Sequence, residues 1–305
     1  MFKNIIFYRV DPSWTTSAEQ VQERLKAGRF VECGASQEKS FGWIEPRGQA
    51  SGPLLEVVAG QWIIKLMVET RALPASVVNR KAQERLAQIE ATTGRKPGKK
   101  ETRDIKDDMR LELLPMAFTK QSSSLVWLDR DAKVLVVDAA SQARADEVVA
   151  LLVQALPGFA ATLINTQVSP VAAMAEWLLS LEAPAGFSVD RECELKAADE
   201  TKAVVRYARH RLDTEEVQQH IKEGKMPTRL ALTWNERVSF MLTEGLQLKK
   251  LAFLDGVFEA SSASKHKDDD FDADVAISTG ELQKMLPDVL EALGGEMPVA
   301  GGTGG

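Results

Sequence analysis

Apolar and polar positions recur along this chain with two periods, near two in some stretches and near three and a half in others. "NIIFYRV" (4–10) packs β-branched and aromatic residues together and predicts a strand. "TTSAEQVQERLKAGRF" repeats Val21 and Leu25 at helical spacing, with Thr15 or Thr16 as its cap and Gly28 as its end. "FGWIEPRG" and "GQWIIKLMVETRAL" predict strands around a turn-rich segment. The clearest helix is "LPASVVNRKAQERLAQIEATTG", opened by Pro74, with Val77, Val78, Ala82, Leu86 and Ile89 along one side. "KETRDIKDDMRLELLP" predicts a second helix, closed by Pro115. "GRKPGKK" (94–100) is then the joint between two helices.

"SSSLVWLDRDAKVLVVDAAS" predicts a hairpin about the polar turn "DRDAK". "SQARADEVVALLVQALPG" is amphipathic through Val148, Val149, Leu152 and Leu156. "ATLINT" predicts a short strand, and "SPVAAMAEWLLSL" a helix with Ser169 as N-cap and Pro170 at its first position. "KAVVRYARHRL" (202–212) predicts a strand and "DTEEVQQHIKEGK" a capped helix. The run from Thr228 to Val257 predicts a three-stranded meander turning at "WNER" and "EGLQ". "SASKHKDDDFDAD" is expected as a polar loop, with "FDADVAI" as buried strand or turn. "STGELQKMLPDVLEALGGE" is expected as the last helix, with Ser278 and Glu281 as its capping box.

Helices and hairpins are mixed without regular strand–helix alternation, which predicts an α+β fold with antiparallel sheets. The expected organisation is a central α+β region (1–73 with 115–170), a basic helical finger (74–114), a C-terminal α+β region (171–298) and a flexible tail (299–305). No internal repeat is present.

Composition narrows the chemistry. No apolar run approaches the roughly 20 residues of a membrane helix, and "MFKNIIFYRV" predicts a strand rather than a signal peptide. Cys33 and Cys193 stand far apart, as expected of small half-buried thiols in a reducing cytoplasm. His210, His220 and His266 lack metal-ligand spacing. No phosphate-cradling glycine loop and no nucleophile elbow occur, so no catalytic residue and no cofactor is assigned. "DDDFDAD" (268–274) offers clustered carboxylates to a hard cation but lacks the EF-hand spacing. A solvated acidic loop is the plainer expectation, and no metal is assigned.

Charge segregation changes the picture. The chain carries a net charge of −6. Yet between Arg71 and Lys106 ten bases face four acids. Arg80 and Lys81 lie on the first helix, and Arg95, Lys96, Lys99, Lys100 and Arg103 gather at the joint, where Pro97 and Gly98 make a projecting tip. A cationic tip suits phosphate contact without base reading; a solvated basic hairpin fits the same residues. "KAVVRYARHRL" adds Lys202, Arg206, Arg209, His210 and Arg211 with no acid between them, and strand alternation would put Arg209 and Arg211 on one face. Aromatic residues do not interleave with these bases, so base stacking has no platform. Phe118, just after Pro115, is either a core residue or an exposed aromatic that fills a pocket on a second copy.

In order along nearly the whole chain, "FKNIIFYRV", "FGWIEP", "LLPMAF", "WLD", "HIKEGK", "LALTW", "FDADVAISTGEL" and "EALGGE" resemble the RdgC family, recombination-associated bacterial nucleoid proteins. The resemblance implies a horseshoe-shaped protomer and a ring-shaped homodimer whose basic hole encircles duplex DNA without sequence preference. It leaves single-stranded DNA open. It further implies antagonism of the RecA recombinase, no catalysis, no cofactor and a cytoplasmic, nucleoid-associated location. Carried over by position, Phe118 matches the aromatic of one dimer contact, and Arg95 a base of the projecting finger. Arg209 and His210 match a Lys–Gln pair at the second contact, where the residue types differ. The "RYARHR" strand then lines the hole, serves that contact, or does both. A module that restrains the recombinase by direct contact is the alternative function.

Overall fold

The computed structural model describes residues 2–254, 256–257 and 267–298; the predicted tail (299–305) and residues 262–266 of the predicted polar loop lie outside them. The chain forms two compact units. The first comprises residues 1–24, 45–64 and 125–305, the second residues 25–44 and 65–124. The architecture is mixed α+β around antiparallel strands.

The first unit is organised around β1 (Ile5–Val10), whose apolar run is buried on both faces. β1 pairs with β6 (Val134–Asp138) over five residues, with β7 (Ala161–Leu163) at Tyr8 to Val10, and with β12 (Leu248–Phe253) at Ile5↔Leu248. From β12 the sheet runs through β11 (Val238–Thr243) and β10 (Lys225–Trp234), the predicted meander, to β8 (Phe187–Ala197) and β9 (Val204–Ala208). One face of this sheet is buried by helices α5 (Pro170–Ser180), α6 (Glu215–Lys222) and α7 (Lys267–Ala292). Leu195, Leu230, Leu232, Phe240 and Leu242 meet Met174, Leu178, Val217, Leu282 and Met285 there, all nearly inaccessible. Each such aliphatic side chain contributes about 1.5–3 kcal/mol by leaving water.

Two strands, β4 (Gln61–Ala72) and β5 (Phe118–Asp129), run through both units. In the second unit β4 pairs with β2 (Lys39–Ile44). Gly42 of β2 is required there, because a Cβ would stand 2.4 Å from Phe30 Cα. Helices α2 (Ala75–Thr93) and α3 (Lys99–Leu113) form the predicted hairpin, followed by a 3-10 turn at Leu114–Met116. Glu69 and Arg71, two apart on β4, share a face and tie this unit together. Glu69 accepts from Cys33 N and Gln121 Nε2, both at 2.7 Å. The Arg71 guanidinium donates to the carbonyls of Cys33, Gly34, Leu114, Pro115 and Ala117 at 3.1–3.4 Å. A cation therefore caps the carbonyl end of α3 and the turn that leads into Phe118.

Several expectations are corrected. The cap of α1 (Ala18–Lys26) is Ser17, not Thr15 or Thr16: Ser17 Oγ accepts from Gln20 N while Gln20 Oε1 accepts from Ser17 N, a reciprocal capping box. β3 (Leu55–Val58) and β8 have no counterpart among the strands expected from periodicity. β9 ends at Ala208, because Arg209 turns to φ 57°. Neither the predicted acidic loop nor "FDADVAI" as strand or turn survives from Lys267 onward, since α7 already begins there. Acidic residues suit the first turns of a helix because they meet its positive end. Ser278 is consequently interior rather than a cap: its Oγ donates back to Asp274 O at 2.5 Å, and Glu281 pairs with Arg237 at 2.6 Å.

Replacing Arg71 with Ala should destabilise the protein by roughly 2 kcal/mol and remove hydrogen-exchange protection around 113–118. Lysine should restore little of it, lacking the fork that reaches several carbonyls; full protection in Arg71→Ala would refute the assignment. Alkaline stability is a second test. Burial pushes the Cys193 thiol from 9.0 up to about 12, and burial with a hydrogen bond to Glu216 pushes Tyr207 from 10.0 up to about 12. The fold holds both protons more tightly than the unfolded chain. Their contribution is complete below about pH 9 and is lost as pH rises towards 12. Urea midpoints should fall over that range, with Cys193 alone setting a slope of roughly 1.4 kcal/mol per pH unit at its steepest. Cys193→Ala should flatten that fall.

Candidate nucleic-acid interface

The basic joint predicted from sequence is the tip of the α2–α3 hairpin. Gly94 closes α2 in the left-handed region, φ 69°, with its N–H on Glu90 O. Gly98 precedes α3 in extended conformation. Only Arg95, Lys96 and Pro97 lie between them. Arg95 spans the joint: Nη1 and Nη2 donate to the two oxygens of Glu101 at 2.9 and 3.2 Å. This bidentate pair holds the tip in shape and partly spends the Arg95 charge. Lys96, Lys99, Lys100 and Arg103 are exposed, and among the described residues no carboxylate lies within 4 Å of their charged ends.

Lys99, Lys100 and Arg103 occupy the first turns of α3, where the helix dipole disfavours cations by a few tenths of a kcal/mol or more each. Helix stability does not account for them. Their charge is directed outward, on a helix that buries no residue at all. Arg80 and Lys81 are also exposed, but some fourteen residues before the joint, roughly 20 Å along the helix axis. Lys81 is paired with Glu84 at 2.8 Å. The hairpin therefore gathers the bases of 95–103 and leaves Arg80 and Lys81 away from them.

The cations of the 202–212 segment belong to the first unit. Arg206 projects from β9 and donates through Nε to Glu194 at 2.6 Å. Arg211 lies past the strand and is paired with Asp213 at 2.5 Å. Arg209 and Arg211 are therefore not two positions of one strand face, as expected from alternation. His210 N donates to Arg191 O, and its ring lies 5.6 Å from that of Tyr207. Arg206 thus acquires its acid from a neighbouring strand, and Arg211 from two residues further along the chain. The sequence reading missed Arg229, Lys249 and Lys250, which share the open face of this sheet with Arg206. Their only signal was alternation along strands whose partners were unknown.

Phe118 is the most exposed large apolar residue among those described, 87% accessible, with Met116 at 68% and Leu111 at 62% beside it in sequence. It is not a core residue. Being the first residue of β5 and held by the Arg71 carbonyl cluster, it presents an ordered aromatic surface of the kind that anchors protein interfaces. No group of three or more metal-ligating side chains occurs among the described residues, and no described helix is long and apolar enough to cross a membrane.

A family model described as "Putative exonuclease, RdgC" matches residues 1–296. "Recombination-associated protein RdgC" of Dechloromonas aromatica is 47% identical over 300 residues, covering 97% of this chain and 98% of its own length. The proteins of the same name from Cupriavidus necator and Bordetella pertussis are 44% and 42% identical, again over almost the whole of both chains. The relatives' names record an association with recombination, whereas the family description names a reaction. Similarity of this extent, end to end, means that the chain belongs to the RdgC family.

Proposed function

We propose that this protein binds duplex DNA without sequence preference and without catalysis, as a homodimeric ring that limits access of the RecA recombinase. The observation that carries this reading is the hairpin tip. Exposed, unneutralised Lys96, Lys99, Lys100 and Arg103 gather at the joint, the last three in the first turns of α3, where that helix's dipole opposes them. Phosphate contact gives those charges a purpose, and a cluster without aromatic or base-reading partners is sequence-tolerant. In this reading the finger contacts DNA, with Arg95 shaping its tip. Phe118 closes one contact between two copies, and the Arg209–His210 turn serves the other. Support for the ring comes from the family and from the exposed aromatic at Phe118. The same aromatic surface would serve the alternative, direct contact with a recombinase.

Anisotropy of labelled duplexes of scrambled sequence, read across a salt series, tests the proposal. Wild type should bind all sequences alike with a steep salt slope. The Lys99→Ala/Lys100→Ala variant should lower that slope by roughly two, about 0.9 for each phosphate that is no longer neutralised. Arg95→Ala should act through a loosened tip and lower it less. Sedimentation should show a looser dimer in Phe118→Ala, weakened on the order of 2 kcal/mol or more at that contact, and a profile identical to wild type would rule the contact out. Recombinase capture that survives nuclease treatment and the lysine substitutions would favour direct contact instead. Shortening of end-labelled duplex by wild type with magnesium would overturn the non-catalytic reading.

A further inference from the structure

The sheet of the first unit has one face under helices and the other open. On β8, Cys193 and Leu195 enter the core, so Asp190, Glu192 and Glu194 take the open face. Register sets Glu194 between Arg206 of β9 and Arg229 of β10, a cross-strand row of cation, anion and cation. In a neighbouring row Met241 of β11 is opposite Ala231 and Lys249. Lys250 then reaches over β11 and β10 to Glu192 on β8, Nζ to Oε1 2.7 Å. Two adjoining hollows of about 490 and 340 Å³ lie on this face and share Glu192, Ala208, Met241 and Lys250 in their walls. They form one groove with the Lys250–Glu192 pair as a strut across it. Six bases and three acids line the two hollows together.

The acids are placed where they weaken the bases. Glu194 is only 13% exposed, whereas Arg206 and Arg229 beside it are 72% and 52% exposed. Its carboxylate accepts from Arg206 Nε and from Thr228 Oγ1 at 2.9 Å, and Arg229 Nε stands 3.9 Å away. A largely covered anion thus sits inward while both guanidinium heads are more exposed. The bond to Glu194 engages Arg206 through Nε, and the fork of the guanidinium is what grips a phosphate oxygen pair.

Resting on the DNA-binding reading above, we infer that this groove is a second phosphate-backbone site. Arg206, Arg229 and Lys249 take the phosphates, and Glu194 is a built-in competitor that holds the two arginines ready and keeps their grip weak. We take a nucleic-acid backbone as the ligand because bases outnumber acids around these hollows, as they do at the hairpin tip, and one polyanion suits both. A weak, charge-compensated site combined with an uncompensated tip gives binding that releases and re-forms along DNA, since each contact is sequence-free.

The test measures duplex affinity and salt slope for wild type, Glu194→Gln, Arg229→Ala/Lys249→Ala and Lys99→Ala/Lys100→Ala, with folding checked by melting. Glu194→Gln keeps the hydrogen bonds to Arg206 and Thr228 in reach but removes the charge. It should bind about two- to five-fold more tightly, the worth of an exposed ion pair. Arg229→Ala/Lys249→Ala should lower the salt slope by roughly two. A wild-type slope in that double variant, or unimproved binding by a folded Glu194→Gln, overturns the groove; loss of slope in the hairpin variant at the same time leaves the DNA-binding reading standing. Should Glu194→Gln not fold, the double variant alone decides. Wild type that binds no duplex at low salt overturns both. An acidic peptide that displaces DNA from wild type but not from Arg229→Ala/Lys249→Ala overturns the choice of ligand.

Discussion

Strand β1 must be paired on both edges, and the first unit depends on that constraint. Its backbone groups are buried with its side chains, so each needs a partner. The partners come from far along the chain: β6 on one edge, and on the other β7 with β12, the latter more than two hundred residues away. The same seam places the open groove. Leu251 N donates to Lys3 O and Lys250 N to Asn4 Oδ1, while Lys250 takes φ 53°. That bulge aims Lys250 across the sheet towards Glu192. A fold built on such long-range pairing closes its loops late, and the groove forms only with the finished sheet.

The second unit solves a different problem with little apolar material. α3 buries nothing and α2 buries only Val78 and Ala82. Order at the base of the hairpin comes instead from polar anchors on β4. The Arg71 guanidinium gathers five carbonyls, and the Glu69 carboxylate, held below the usual range by Gln121 first and then by the Cys33 N–H, ties the adjoining loop. A well-anchored base with an exposed shaft keeps the tip lysines in water and the Phe118 side chain outside the core.

The two basic regions differ in how far their charge is compensated. At the hairpin tip the lysines have no carboxylate at hand, and at Lys99 and Lys100 the dipole of α3 adds to the mismatch. On the sheet face Arg206 and Arg229 both have a carboxylate close by, supplied by β8. Net charge hides this contrast: a chain of −6 presents both kinds of surface.

Much of this molecule was legible in order. Periodicity located β1, the α2–α3 hairpin, the β5–β6 hairpin and the meander, because each is a local pattern closed by its own turn residues. The tip cations were visible because they are contiguous. β8 escaped notice since Phe187, Val189, Cys193 and Leu195 alternate with charges that resemble a solvated loop, and the acidic start of α7 misled for the same reason. The sequence by itself determined the family, the mixed α+β class and the position of the basic joint. Only the tertiary structure decided which charges are compensated. Ion pairing acts over a few ångströms in space, and the carboxylates that meet Arg206 and Arg229 arrive from another strand, set by sheet register rather than by neighbours in the chain.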